Sequence, residues 1–261
     1  MPRGLLHSAT FGGPTGSPDL VVLHGMLGSS RNWSLVAKEL SGFATVHTLD
    51  LPGHGQSRSL PAMDFPGMAA AVVNWLDAEA FEKVHLLGHS LGGKLAMWVA
   101  SEFPSRLESL IVADIVPKDY PPHSQEILEA MARLDLISIL SRRDAEDAML
   151  DAIPDLGMRK FVLTNLVRGE DQQFFWQADI HGLLRSLPAL SSNPMAGKAP
   201  HQGKTLFIRG GESNYFRPAD EAGILQYFPN SAVQTIPEAG HNVHFDDIPA
   251  FVSILRSHLD V

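Results

Sequence analysis

The sequence predicts an α/β domain with a mostly parallel central sheet flanked by helices, and a helical unit inserted between its strands. Three observations lead there. Short apolar runs that end in Gly, Asp or His recur along the chain, and amphipathic segments separate them. The alternation then stops between residues 117 and 200, where only helical patterns are legible. Uninterrupted apolar runs mark strands buried on both faces, and strand alternating with helix builds a parallel sheet covered on both sides. In such a sheet the ligand site lies beyond the carboxyl ends of the strands.

The elements follow in order. The run 20–23 leads into His24-Gly25, and 44–49 leads into Asp50. The runs 84–87 and 110–113 lead into Gly88 and Asp114. After the interruption, 205–208 leads into Arg209-Gly210-Gly211, and 232–236 leads into Pro237. Amphipathic stretches at 30–40, 68–78 and 220–228 supply helices between them. Inside the interruption, Ile127, Leu128, Met131, Leu134, Ile139 and Leu140 trace one apolar face, and Ala145, Ala148, Met149 and Ala152 trace another. A third helical pattern starts at Phe161 and runs to Val167, and proline-bearing stretches at Pro121-Pro122 and 188–200 bracket the unit. The expected organisation is a core of residues 1–116 and 201–261, with 117–200 as a helical cap over the site. A plain second helical layer is the alternative.

Composition excludes several classes of function. A chain of 261 residues buries roughly three quarters of its unfolded surface and needs no staples. It has no cysteine, which removes disulfides, thiolate metal sites and a cysteine nucleophile together. The net charge is −9 and no basic cluster is longer than Arg142-Arg143, so nucleic acid is not an expected partner. Met1-Pro2-Arg3-Gly4-Leu5-Leu6-His7 has no apolar signal core, and no run approaches membrane-spanning length. A cytoplasmic protein with no membrane partner is expected, as a monomer or weak homodimer. Twelve histidines raise the question of metal. His241 and His244 are three apart, but no partner completes the zinc spacing H-E-x-x-H, so neither metal nor cofactor is expected.

Gly88-His89-Ser90-Leu91-Gly92 is the most informative stretch, because it fits G-x-S-x-G between an apolar run and a helical one. A serine hydroxyl is protonated at neutral pH, so it needs a base beside it and a turn that exposes its oxygen. A strand-to-helix turn flanked by glycines gives that exposure, and the N–H of Leu91 then faces the place where an oxyanion would form. Ser90 is the candidate nucleophile. His241, in Pro237-Glu238-Ala239-Gly240-His241, is the candidate base on a late loop at the strand ends.

His24-Gly25, Asp50-Leu51-Pro52-Gly53-His54-Gly55-Gln56-Ser57, the serine elbow and Gly240-His241 resemble, in that order, the α/β-hydrolase fold with a helical cap. Within it, Gly88-His89-Ser90-Leu91-Gly92-Gly93-Lys94 and Asp114-Ile115-Val116-Pro117-Lys118-Asp119-Tyr120 resemble the serine-esterase subgroup of bacterial YbfF and ABHD-eleven-like proteins. The resemblance implies hydrolysis of carboxylic esters or thioesters with small to medium acyl groups. It also implies Met26 as the second backbone oxyanion donor beside Leu91. The chain departs from the family in one place. Many members carry the acid as an aspartate in G-x-x-D-x-x-x-P, and here Asn214 occupies that position in Gly211-Glu212-Ser213-Asn214-Tyr215-Phe216-Arg217-Pro218. Asp114, which the subgroup shares, is the expected acid, with Glu212 in reserve.

Other readings stay open at this point. The same triad could serve C–C bond hydrolysis or a cofactor-free lyase, and Asn214 is the one hint of a binding protein without turnover. His24, His54 and His89 read as loop-holding residues, and Lys94 reads as an ordinary helix residue. Phe174-Phe175-Trp176 either lines an acyl pocket or packs the cap itself.

Overall fold

In a computed structural model, residues 5–261 are described, so the part of the N-terminal reading on residues 1–4 lies outside them. The first strand, β1 (Ser8–Phe11), is an edge strand with half-buried positions and no apolar run. Next come β2 (Asp19–Leu23), α1 (Ser34–Leu40), β3 (Thr45–Leu49), α2 (Phe65–Ala78), β4 (Val84–His89), α3 (Leu91–Glu102) and β5 (Leu107–Ala113). Asp64 caps α2 by accepting the Gly67 N–H at 2.9 Å, which starts that helix three residues before its expected boundary.

The segment after β5 carries α4 (Gln125–Arg133), α5 (Arg142–Ala148), α6 (Leu156–Val162), a hairpin of β6 (Leu166–Arg168) and β7 (Phe174–Trp176), and α7 (Ile180–Ser191). Two expectations are corrected there. The helical pattern assigned to 161–167 is the end of α6, which then gives way to the strand β6. The stretch 188–200 is not wholly a bracketing loop, because α7 runs through Pro188. Asp179 caps that helix through the Gly182 N–H at 2.8 Å. The chain returns to the sheet with β8 (Thr205–Gly210), α8 (Glu221–Tyr227), β9 (Ser231–Ile236), α9 (Val243–Asp246) and α10 (Ile248–His258).

The seven sheet strands lie in the order β1-β3-β2-β4-β5-β8-β9, parallel except for the antiparallel β1–β3 pair. Alternation along each strand splits the core in two. Val21, Leu86, Leu110, Val112 and Phe207 face α2, α3 and the inserted segment. Leu20, Leu87, Ile111, Leu206 and Ile208 face α1 and α10. Among the described residues no helix is long and apolar enough to cross a membrane. The parallel register sets the site, because His89 pairs with Ala113 and Ala113 with Ile208. Ser90 and Asp114 are therefore each one residue beyond paired strand ends, on adjacent strands.

Candidate active site

Ser90 sits between β4 and α3 at φ 53° and ψ −117°, a conformation that L residues with a Cβ rarely hold. The neighbouring glycines make the turn possible through close approach. A Cβ on Gly88 would run into the Gly92 carbonyl, and one on Gly92 into the Leu23 carbonyl. The main chain after β2 lies against the elbow, since a Cβ on Gly25 would stand 3.2 Å from the Ser90 Cβ. That approach brings Met26 to the serine. Met26, Ser90, Leu91 and Tyr215 share the wall of a cavity of about 70 Å³. Leu91 opens α3, so its N–H belongs to the first turn, where helix geometry leaves donors unpaired.

Asp114 follows β5 with φ 50° and is fully buried. Its Oδ1 accepts the Gly210 N–H at 2.9 Å. Its Oδ2 accepts the His241 Nδ1–H at 2.8 Å and the Ser213 hydroxyl. His241 comes from the loop after β9, and its ring stacks on Tyr215 with centroids 3.8 Å apart and planes 17° apart. Asn214 is exposed, and its amide oxygen accepts from Arg217 at 3.4 Å; Glu212 is exposed as well. Ser213 and Tyr215 had no role in the sequence reading. Their functional neighbours lie on other strands, and the only local signal was a hydroxyl and an aromatic flanking the unusual Asn214.

The remaining candidates have structural partners. His24 donates from Nδ1 to the Gly25 carbonyl at 2.7 Å, and its Nε2 accepts the Leu51 N–H at 3.0 Å. His54 donates from Nδ1 to the Pro52 carbonyl at 3.0 Å. His89 donates from Nε2 to the His241 carbonyl at 2.8 Å, which fixes the backbone that carries the candidate base. His244 stacks on Trp33 with centroids 4.0 Å apart. Phe174 is buried and Trp176 packs on α4, with its indole N–H on the Met131 carbonyl at 3.0 Å, while Phe175 is exposed, and none of the three lines the Ser90 cavity. Lys94 is more than a helix residue. Its ammonium is buried and donates to the Leu190 and Ser191 carbonyls at 3.1 and 2.7 Å, tying α3 to the last turn of α7. Burial pulls its pKa down to about 7.

Burial also keeps the histidines around the site neutral. Desolvation lowers His24 and His89, and it takes His54 and His244 from the ordinary 6.5 to about 3. The unfolded chain then binds more protons than the folded one between pH 6.5 and 3, so stability present above that window is lost as pH falls through it. At pH 5, His54 and His244 should each cost about 2 kcal/mol. Thermal unfolding followed at pH 7 and pH 5 is expected to show a clear drop in Tm, whereas an unchanged Tm would mean these rings are hydrated in the folded chain.

Comparisons with known proteins bear on the family to which this fold belongs. A family model described as alpha/beta hydrolase fold matches residues 18–248. The sn-1-specific diacylglycerol lipase ABHD11 of Mus musculus is 32% identical over 93% of this chain and 81% of its own. Esterase YbfF of Escherichia coli is 30% identical over 92% of this chain and 92% of its own. A solved marine microorganism esterase superposes with a TM-score of 0.93 at 29% identity, covering 98% of this chain and 100% of its own. With its sheet order, its serine elbow and a family match over most of its length, the chain belongs to the alpha/beta hydrolase fold family.

Proposed function

We propose that this carboxylic ester hydrolase works through a Ser90–His241–Asp114 triad and an acyl-enzyme intermediate. The observation that carries the reading is the buried Asp114 carboxylate bonded to His241 Nδ1 one strand away from the strained Ser90 turn. Asp114 holds the imidazole in the tautomer whose Nε2 can accept a proton. Ser90 Oγ attacks the ester carbonyl as His241 takes its proton, and the oxyanion rests on the Leu91 and Met26 amides. His241 then protonates the leaving oxygen or sulfur. Water, deprotonated by the same imidazole, releases the acid.

Segment 117–200 acts in this reading as a cap, since Leu187, Leu190 and Ser191 of α7 help close the cavity above Ser90. That cavity is far below the usual several hundred Å³ of a ligand site, which favours short acyl groups. An adjoining groove of about 480 Å³ shares Tyr120, Leu187 and Ser191 with it and offers room for the rest of the substrate. Two cations near the cavity are already engaged: Lys118 pairs with both Asp220 oxygens at 2.7 Å, and Lys94 bonds the α7 carbonyls. Asp119 adds a negative charge to the groove. Neutral esters therefore fit better than thioesters of a phosphate-bearing thiol.

The test is turnover of p-nitrophenyl esters from acetate to decanoate, together with labelling by a fluorophosphonate. The expected result is labelling of Ser90 and a chain-length optimum at short acyl groups. A folded protein that neither labels nor turns over any ester would overturn the reading. The bonded Asp114–His241 pair removes the reason for suspecting a non-catalytic protein, because Asn214 is not asked to serve as the acid.

A further inference from the structure

We propose that Tyr215 is a positioning residue for the base, holding the His241 ring by its aromatic face and stabilising the imidazolium that forms as Ser90 attacks. The proposal rests on His241 being the base. Face-on stacking at 3.8 Å puts the π cloud within the distance at which a cation is attracted to an aromatic ring.

The loop itself is held at two points, Asp114 and Tyr120. The Tyr215 N–H donates to Ser213 Oγ at 3.1 Å, and that hydroxyl donates to the same Asp114 oxygen that receives His241. The Tyr215 carbonyl accepts the Tyr120 hydroxyl at 2.8 Å, and the Val116 N–H donates to the oxygen of that hydroxyl at 3.1 Å. The segment whose usual acid position is filled by Asn214 thus clamps the acid with Ser213 and covers the base with Tyr215.

Charge accounting shows why the ring matters. The titratable groups facing His241 are Asp114, His89, His244 and Tyr215. Burial keeps His89 and His244 neutral, and burial together with the nearby Asp114 keeps the Tyr215 phenol protonated. None of these three carries a charge at neutral pH, so beyond the Asp114 carboxylate the face of Tyr215 is what favours a positive imidazole.

The experiment compares Tyr215→Phe with Tyr215→Leu, reading kcat, KM and the pH profile of kcat/KM on the p-nitrophenyl ester that wild type turns over best. Phenylalanine keeps the π face, and leucine keeps apolar cover without it. Tyr215→Phe is expected to stay within about twofold of wild type. Tyr215→Leu is expected to lose roughly ten- to thirtyfold in kcat with little change in KM. Its activity should also fall off on the acid side about one pH unit lower, because the protonated ring has lost support. Water filling the vacated space would move that limb the opposite way. Equal losses in both variants, a loss confined to KM, or an unshifted or upward-shifted limb would each overturn the proposal. If Tyr215→Leu unfolds, Tyr215→Met carries the same comparison. Failure of wild type to label with fluorophosphonate would instead count against the catalytic reading itself.

Discussion

Ser90→Ala is expected to lower kcat by about a million-fold while leaving the fold in place. The fold should survive because the strain at this position belongs to the backbone and is the same for alanine, which also carries a Cβ. The main-chain bond that anchors the turn, Ser90 N–H to the Ala113 carbonyl at 3.2 Å, is untouched. Stability should change by no more than about 0.5 kcal/mol. The remaining turnover should not be zero, since the proposed oxyanion donors, the Leu91 and Met26 amides, belong to the main chain and are unchanged by the substitution. Such donors alone leave roughly a thousand-fold or more over uncatalysed hydrolysis. The measurement is steady-state turnover on a short p-nitrophenyl ester, with Tm and fluorophosphonate labelling recorded on the same sample. Turnover within tenfold of wild type would remove Ser90 from the mechanism.

How much of this site could be read from the sequence depended on whether a residue's partners are local. The elbow was legible because its glycines serve contacts made within a few residues or with an adjacent strand. The strands β2, β4, β5 and β8 were legible because burial on both faces leaves a compact apolar run, broken in β4 by the half-buried His85. The edge strand β1 was not, since it pairs on one side only and carries the half-buried Ser8 and the exposed Thr10. Pro188 hid α7, because proline removes an N–H and normally ends a helix. The helix continues here for one more turn, and the buried Lys94 ammonium takes up the carbonyls at its end. Asp114 could be proposed from its place after a strand. Ser213 and Tyr215 could not be assigned, because their roles exist only once β8 lies beside β5.

The acid provides the sharpest separation between the two loops. Asp114→Asn is expected to cost about four orders of magnitude in kcat, whereas Asn214→Ala should change it less than about twofold. Three donors converge on the Asp114 carboxyl: the Gly210 N–H on one oxygen, and His241 Nδ1–H with the Ser213 hydroxyl on the other. A carboxylate can accept all three, but an amide has only one accepting oxygen. If the asparagine oxygen faces His241, its NH₂ meets the Gly210 N–H and two buried donors confront each other. If the amide flips, its NH₂ faces His241, and the imidazole must carry its proton on Nε2, where it cannot accept one from Ser90. Either arrangement also removes the negative charge that offsets the forming imidazolium. Asn214 is solvent-exposed and its amide oxygen accepts from Arg217 at 3.4 Å, outside the bonds made to Asp114, so truncating it leaves this network intact. The reverse ranking, a harmless Asp114→Asn beside a crippled Asn214→Ala, would move the orienting group onto the loop after β8. A large loss in Glu212→Gln with Asp114→Asn unaffected would place the acid on that loop as well, two residues earlier.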